Sequence, residues 1–173
     1  MKLKLLSICI LAIILTRDVF PQTVSTTGNA SVNLIRPLSI TSLSGEINFG
    51  EIILTGAPTV QTLSPQQGRV FRVEGQPSRF TTVTFNSVNL SNSVWVITNG
   101  GSIGSLVFTP LVVHTAASAS YENPVIVVSG NSYSLVSSAG TGLLYLWVGG
   151  NINIASSQPQ GDYTGTFNIT VSY

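Results

Sequence analysis

Leu143-Leu144-Tyr145-Leu146-Trp147-Val148 is an unbroken apolar run, and it decides the fold. A continuously apolar run bounded by turn residues suits a central strand buried on both faces. Gly149-Gly150 follows it as an expected turn or bulge before Asn151 to Ile154. Outward from this run, period-two alternation recurs, and no later stretch shows a 3.6-residue period. Ala30, Val32 and Leu34 alternate with Ser31 and Asn33, until Pro37 confines that strand to an edge or a bend. Ile47 to Leu54 is a second candidate strand with Gly50 as its bulge, and Gly56 to Gly68 reads as a connection. Arg69 to Val73, Phe80 to Val88, Val94 to Thr98, Leu106 to His114 and Pro124 to Val128 follow as strands. Asn99-Gly100-Gly101 and Gly130-Asn131 punctuate them, and Ala116 to Ser120 is a loop. Phe80-Thr81-Thr82-Val83-Thr84-Phe85 has the β-branched and aromatic content that a half-buried pleated surface accepts. The expectation is an all-β chain, an antiparallel β-sandwich of about eight to ten strands. No unit repeats at a fixed period, which argues against a solenoid or propeller.

The chain has 173 residues, 43% apolar and 8% charged. That length suits one domain, and polarity is carried by Ser, Thr, Asn and Gln. A helical bundle or coiled coil needs far more charge on its outer faces. Lys2 and Lys4 precede an apolar run from Leu5 to Leu15 broken only by Ser7. This run is too short to span a membrane, which takes about 20 residues, but suits a secretory signal. Cleavage is expected between Thr16 and Ser25, giving a signal peptide over 1–22 and one domain over 23–173. Leu6-Ser7-Ile8-Cys9 is no lipoprotein site, because Cys9 precedes most of the apolar run. No later stretch reaches spanning length, so the chain is expected to be secreted or at the cell surface.

From residue 23 onward, Arg36, Arg69, Arg72 and Arg79 face Glu46, Glu51, Glu74, Glu122 and Asp162. Four arginines among five acids cannot build a phosphate-binding groove, so no nucleic-acid partner is expected. The same stretch has no cysteine, which excludes disulfides and thiolate metal sites from it.

Candidate chemistry is sparse. His114 is the one histidine, and no G-x-S-x-G elbow accompanies it; at a strand end it reads as a polar cap. Glu46 and Glu51 are the nearest acid pair, yet their odd spacing puts them on opposite faces of a regular strand, unlike a glycosidase pair. Calcium could be held only through Glu122, Asn123 and loop carbonyls, since no D-x-D or H-x-H spacing occurs. Gly100-Gly101-x-x-Gly104 lacks the lysine of a phosphate loop. Arg69 and Arg72 fall on opposite strand faces and read, with Glu74, as solubilising charge. Trp95 and Trp147 have apolar neighbours and read as core. The expectation is a protein that is not an enzyme and holds no cofactor or metal.

The two ends carry the sharper signal. Tyr163, Gly165, Phe167, Ile169, Val171 and Tyr173 share one phase, as do Val24, Thr26, Gly28, Ala30, Val32 and Leu34. An extended alternating segment can add to a neighbour's sheet, backbone bonds giving affinity and pockets giving register. The candidate assembly strands are therefore Val24, Ala30, Val32 and Leu34 as donor, and Phe167, Ile169, Val171 and Tyr173 as the receiving edge. From Ala30 onward, the bland alternative is the first strand of the chain's own sandwich.

Gly45-Glu46-Ile47-Asn48-Phe49-Gly50-Glu51-Ile52 resembles the strand signature around the Phe-Gly pair of secreted bacterial pilin-like domains. Leu146-Trp147-Val148-Gly149-Gly150, with Gly161-Asp162-Tyr163-Thr164-Gly165-Thr166-Phe167-Asn168-Ile169-Thr170-Val171-Ser172-Tyr173, is similar to the ending of a secreted bacterial domain family of unknown function. That family in turn resembles the spore-coat-U and archaic chaperone–usher pilins. The resemblance runs from about Ala30 to Tyr173 and implies an immunoglobulin-like sandwich at the cell surface, assembled by strand exchange. Identical or related subunits and a periplasmic chaperone are the partners it implies. Many chaperone–usher pilins carry a disulfide, and here this sequence departs from them. The function expected is a pilin-like or fimbria-like structural and adhesive subunit. The alternative is a monomeric secreted module or adhesin that recognises glycan or matrix through its loops.

Overall fold

The structure, a computed structural model, describes residues 23–173. The expected signal peptide therefore lies outside the described residues. The chain divides into two units, Met1–Leu34 and Ile35–Tyr173. In the first, residues 23–34 form no strand and are exposed throughout. Ala30, Val32 and Leu34 thus do not make the sandwich's first strand, which is a correction to the bland alternative. A strand persists only where a neighbouring edge takes up its backbone groups, and this segment forms no ladder.

In the second unit, β1 (Ser39–Ser44), β2 (Thr59–Leu63), β3 (Arg69–Gly75), β4 (Phe80–Phe85) and β5 (Val88–Ser91) precede one short helix, α1 (Ser93–Asn99). β6 (Ser105–His114), β7 (Val125–Ile126), β8 (Ser132–Ser134), β9 (Val136–Ser138), β10 (Thr141–Ile154) and β11 (Ile169–Ser172) follow. The larger sheet has eight strands with a path β1-β3-β10-β6-β5, and the smaller has three in the order β11-β4-β8. Every ladder is antiparallel. The fold is the all-β sandwich that the alternation demands; several strands of only two or three residues take the described count beyond ten.

β10 is the axis of the larger sheet. One of its edges pairs with β3 and then β2, and the other with β9 and then β6. Leu144, Leu146 and Val148 point inward and pack with Val73, Val83, Val112, Val127 and Leu135, all essentially inaccessible. Tyr145 and Trp147 point the other way and pack with Val70 and Val113 under Tyr121. Trp147 Nε1 donates to Thr115 Oγ1 at 2.9 Å, and Tyr121 meets the indole edge-on at 5.2 Å. The apolar run is therefore buried on both faces, by the smaller sheet within and by the loop after β6 without.

Four local expectations are corrected. Gly149-Gly150 is no turn: β10 runs straight through it to Ile154. These glycines are required by crowding, since a Cβ at Gly149 would strike the Leu63 carbonyl and one at Gly150 the Thr109 carbonyl. Ile47 to Leu54 is not a strand, and Gly50, at φ +70°, breaks it. The supposed connection Gly56 to Gly68 contains β2. Val94 to Thr98 is helical, closed by Val96 N–H to Asn92 O (3.0 Å) and Gly100 N–H to Val96 O (2.8 Å). β-Propensity yields there because the chain turns back between β5 and β6 and satisfies its backbone groups locally.

His114 ends β6 opposite Leu146, with its ring 5.2 Å from that of Tyr133. Its Nδ1 accepts the Ala116 N–H at 3.4 Å, and burial pushes its pKa below the ordinary imidazole value. The neutral form is therefore favoured in the fold, and its stabilisation is complete above the unfolded value of about 6.5. That stabilisation is lost as pH falls through the lower folded value. Thermal unfolding followed from pH 7.5 to 5 is expected to show falling stability on acidification, with the slope reduced in His114→Gln.

Candidate functional site

The two sheets are unequal, and the inequality makes the site. Near Leu144 to Val148 the smaller sheet covers the inner face of β10, through Val83, Ile169 and Val171. Farther along, Ile152 and Ile154 with Leu106 and Phe108 of β6 form a separate apolar floor. Its cover comes from segments that belong to no named strand: a strap over residues 45–58 on one side and residues 158–167 on the other. Between them lies a groove of about 1170 Å³. Phe49 of the strap meets Phe108 edge-on at 6.0 Å, and Phe167 meets it from the other wall at 5.9 Å.

The strap is held differently from every strand around it. Residues 45–58 make no backbone–backbone hydrogen bond to another described residue. Their one internal tie is Gly50 N–H to Asn48 Oδ1 at 2.8 Å. Ile47, Phe49 and Ile52 are half-buried against the core, while Ile53 is 81% exposed. Glu46 and Glu51 sit on exposed strap positions along the groove wall.

The opposite wall is tied down through Asn92, which is fully buried. Its Oδ1 accepts Gly104 N–H at 2.7 Å, and its Nδ2 donates to Gln160 O (2.9 Å) and Ser102 O (3.2 Å). Tyr163 Oη donates to Pro159 O at 2.7 Å and accepts from Gln158 Nε2 at 2.6 Å. Ser91 and Thr164 exchange two backbone bonds. This wall then leads into β11.

β11 is the end strand of the smaller sheet and pairs only with β4 among the described strands. Phe167, Ile169 and Val171 turn inward as their shared phase requires, each half-buried. Tyr173 continues that phase to a different end: its Oη accepts Gln76 N–H at 2.7 Å and donates to Arg36 O at 3.0 Å, under the Arg79 guanidinium at 4.6 Å. Thr81 Oγ1 donates to Ser172 O at 2.9 Å. Phe167, Ile169, Val171 and Tyr173 thus lie together along β11 and the residues that flank it. Val24, Ala30, Val32 and Leu34 lie in the exposed segment of the other unit, with Val24 at 91% and Leu34 at 86%.

The remaining candidates disperse. Arg72 pairs with Glu74 at 3.2 Å on the outer face of β3. Arg69 faces the other way, donating from Nε to Ser42 Oγ at 2.9 Å over the Phe71 ring. No cluster of three His, Cys, Asp or Glu side chains exists among the described residues. Sequence reasoning missed Asn92, whose neighbours in space are distant in sequence, and the Phe49–Phe108–Phe167 contacts, which join three separate segments.

Fold and groove together define an antiparallel β-sandwich whose smaller sheet stops short of its partner. The chain belongs to the family described as Domain of unknown function (DUF4402), whose model matches residues 19–173. No curated protein and no solved structure matches it. Among the described residues, no helix is long and apolar enough to cross a membrane.

Asn92→Ala removes three side-chain hydrogen bonds made from a fully buried position, at an expected cost of about 2–4 kcal/mol. Denaturant unfolding measures the loss, and proteolysis should first nick the released stretch 158–163.

Proposed function

We propose that this protein is a non-enzymatic subunit of the cell surface, pilin-like or fimbria-like, that assembles by adding a strand of one copy to the sheet of the next. The observation that carries this reading is the groove beside an end strand, where the smaller sheet leaves part of the core to irregular cover. Phe167, Ile169, Val171 and Tyr173 form the receiving edge. The donor is the segment of Val24, Ala30, Val32 and Leu34 in a second copy. Twelve residues from Thr23 to Leu34, extended, reach roughly 40 Å, and none of them is charged. An exposed alternating segment and an unpaired sheet edge each lack what the other supplies.

Lys2, Lys4 and the apolar run Leu5 to Leu15, read as a secretory signal, support export. The likeness of Gly45 to Ile52 to pilin-like domains, with that of the carboxy-terminal stretch to a family resembling spore-coat-U and archaic chaperone–usher pilins, supports the same assembly class. A periplasmic chaperone would cover the edge before assembly. A second reading, a monomeric adhesin acting through loops, draws on the apolar tip of α1 and its following loop. There Val94, Ile97 and Ile103 are 70%, 84% and 68% exposed.

Deleting residues 23–29 behind the native leader separates the two. Assembly should vanish, by sizing of surface material, while the unfolding temperature of the monomer stays within a degree or two. Unchanged assembly and unchanged stability would dismiss the donor.

A further inference from the structure

We propose that the strap over residues 45–58 is a stand-in cover for the groove, with Phe49 as its plug, displaced when a strand is added. This inference rests on the proposed assembly and describes how the same site is regulated. Phe108 lines the groove yet is only 2% exposed, and two of the rings against it are those of Phe49 and Phe167. Phe167 is carried toward β11 by an anchored wall. Phe49 is carried by a segment with no backbone bond to any other described residue. One cover is therefore fixed, and the other is held by side chains alone.

The strap's composition fits two states. Ile47, Phe49, Ile52 and Ile53 have strand-forming side chains, yet they form no strand. Gly45, Gly50 and Gly56 have φ of +79°, +70° and +77°. Gly50 and Gly56 have nothing within 4 Å of where a Cβ would lie, so no crowding imposes their conformation and they are free to act as hinges. Segments with few backbone bonds open at low cost compared with the core. A subunit with so few charges would otherwise present a bare apolar floor to its neighbours. The strap hides that floor until the added strand replaces it.

The test uses Phe49→Ala and Phe49→Tyr in the full chain with its native leader, with assembly followed over time by sizing. Phe49→Ala should assemble several-fold faster than the natural protein despite a lower unfolding temperature, and Phe49→Tyr should restore the natural rate. Hydrogen exchange should also be fast at residues 46–54 in the monomer and in step with its surface loops. A slower or unchanged rate for Phe49→Ala, or strap amides as protected as those of β10, overturns the cover. Should the natural protein itself never assemble, the assembly reading falls, an outcome distinct from failure of the strap alone.

Discussion

Burial of β10 on both faces is the constraint from which the rest follows. A strand carrying Leu144, Leu146 and Val148 on one side and Tyr145 and Trp147 on the other must be covered twice. It also pairs along both edges, with β3 and β2 on one side and β9 and β6 on the other. At fourteen residues it is longer than the three-stranded sheet can roof. The outer face is closed by a loop whose Thr115 receives the Trp147 N–H. The inner face is closed by the smaller sheet over one stretch and by the strap over the other. The groove is the consequence of that mismatch in extent.

The architecture was legible because it rests on local pattern. Leu143 to Val148 announced its own burial, and the phase of Phe167, Ile169 and Val171 matched the face they present. What failed depended on partners distant in sequence. Ile47 to Leu54 and Val94 to Thr98 have the composition of strands, but neither finds an edge, so one becomes a strap and the other a helix. Gly149-Gly150 reads as a turn in one dimension. In three dimensions it is the place where β2 and β6 press against β10 on either side. The groove itself could not be read, since its rings come from Phe49, Phe108 and Phe167.

Charge scarcity gives the surface its character. No ionised side chain lies between Arg79 and Glu122, or between Glu122 and Asp162. Edge strands in soluble proteins are commonly guarded by lysine or other charges, and β11 has none. The groove that approaches its edge is lined by Glu46, Glu51, Arg69 and Asp162, whereas the segment proposed to fill it is neutral. Affinity in such a contact would come from backbone hydrogen bonds and apolar burial, with little dependence on salt.

The central claim, that one copy completes the core of the next, is tested most directly on surface material from the native host run on an SDS gel without heating. A subunit whose core includes its neighbour's strand resists detergent until thermally unfolded. A strand-exchanged polymer gives a ladder of multimers that collapses to a single band on boiling. A lone monomer band before heating would contradict it.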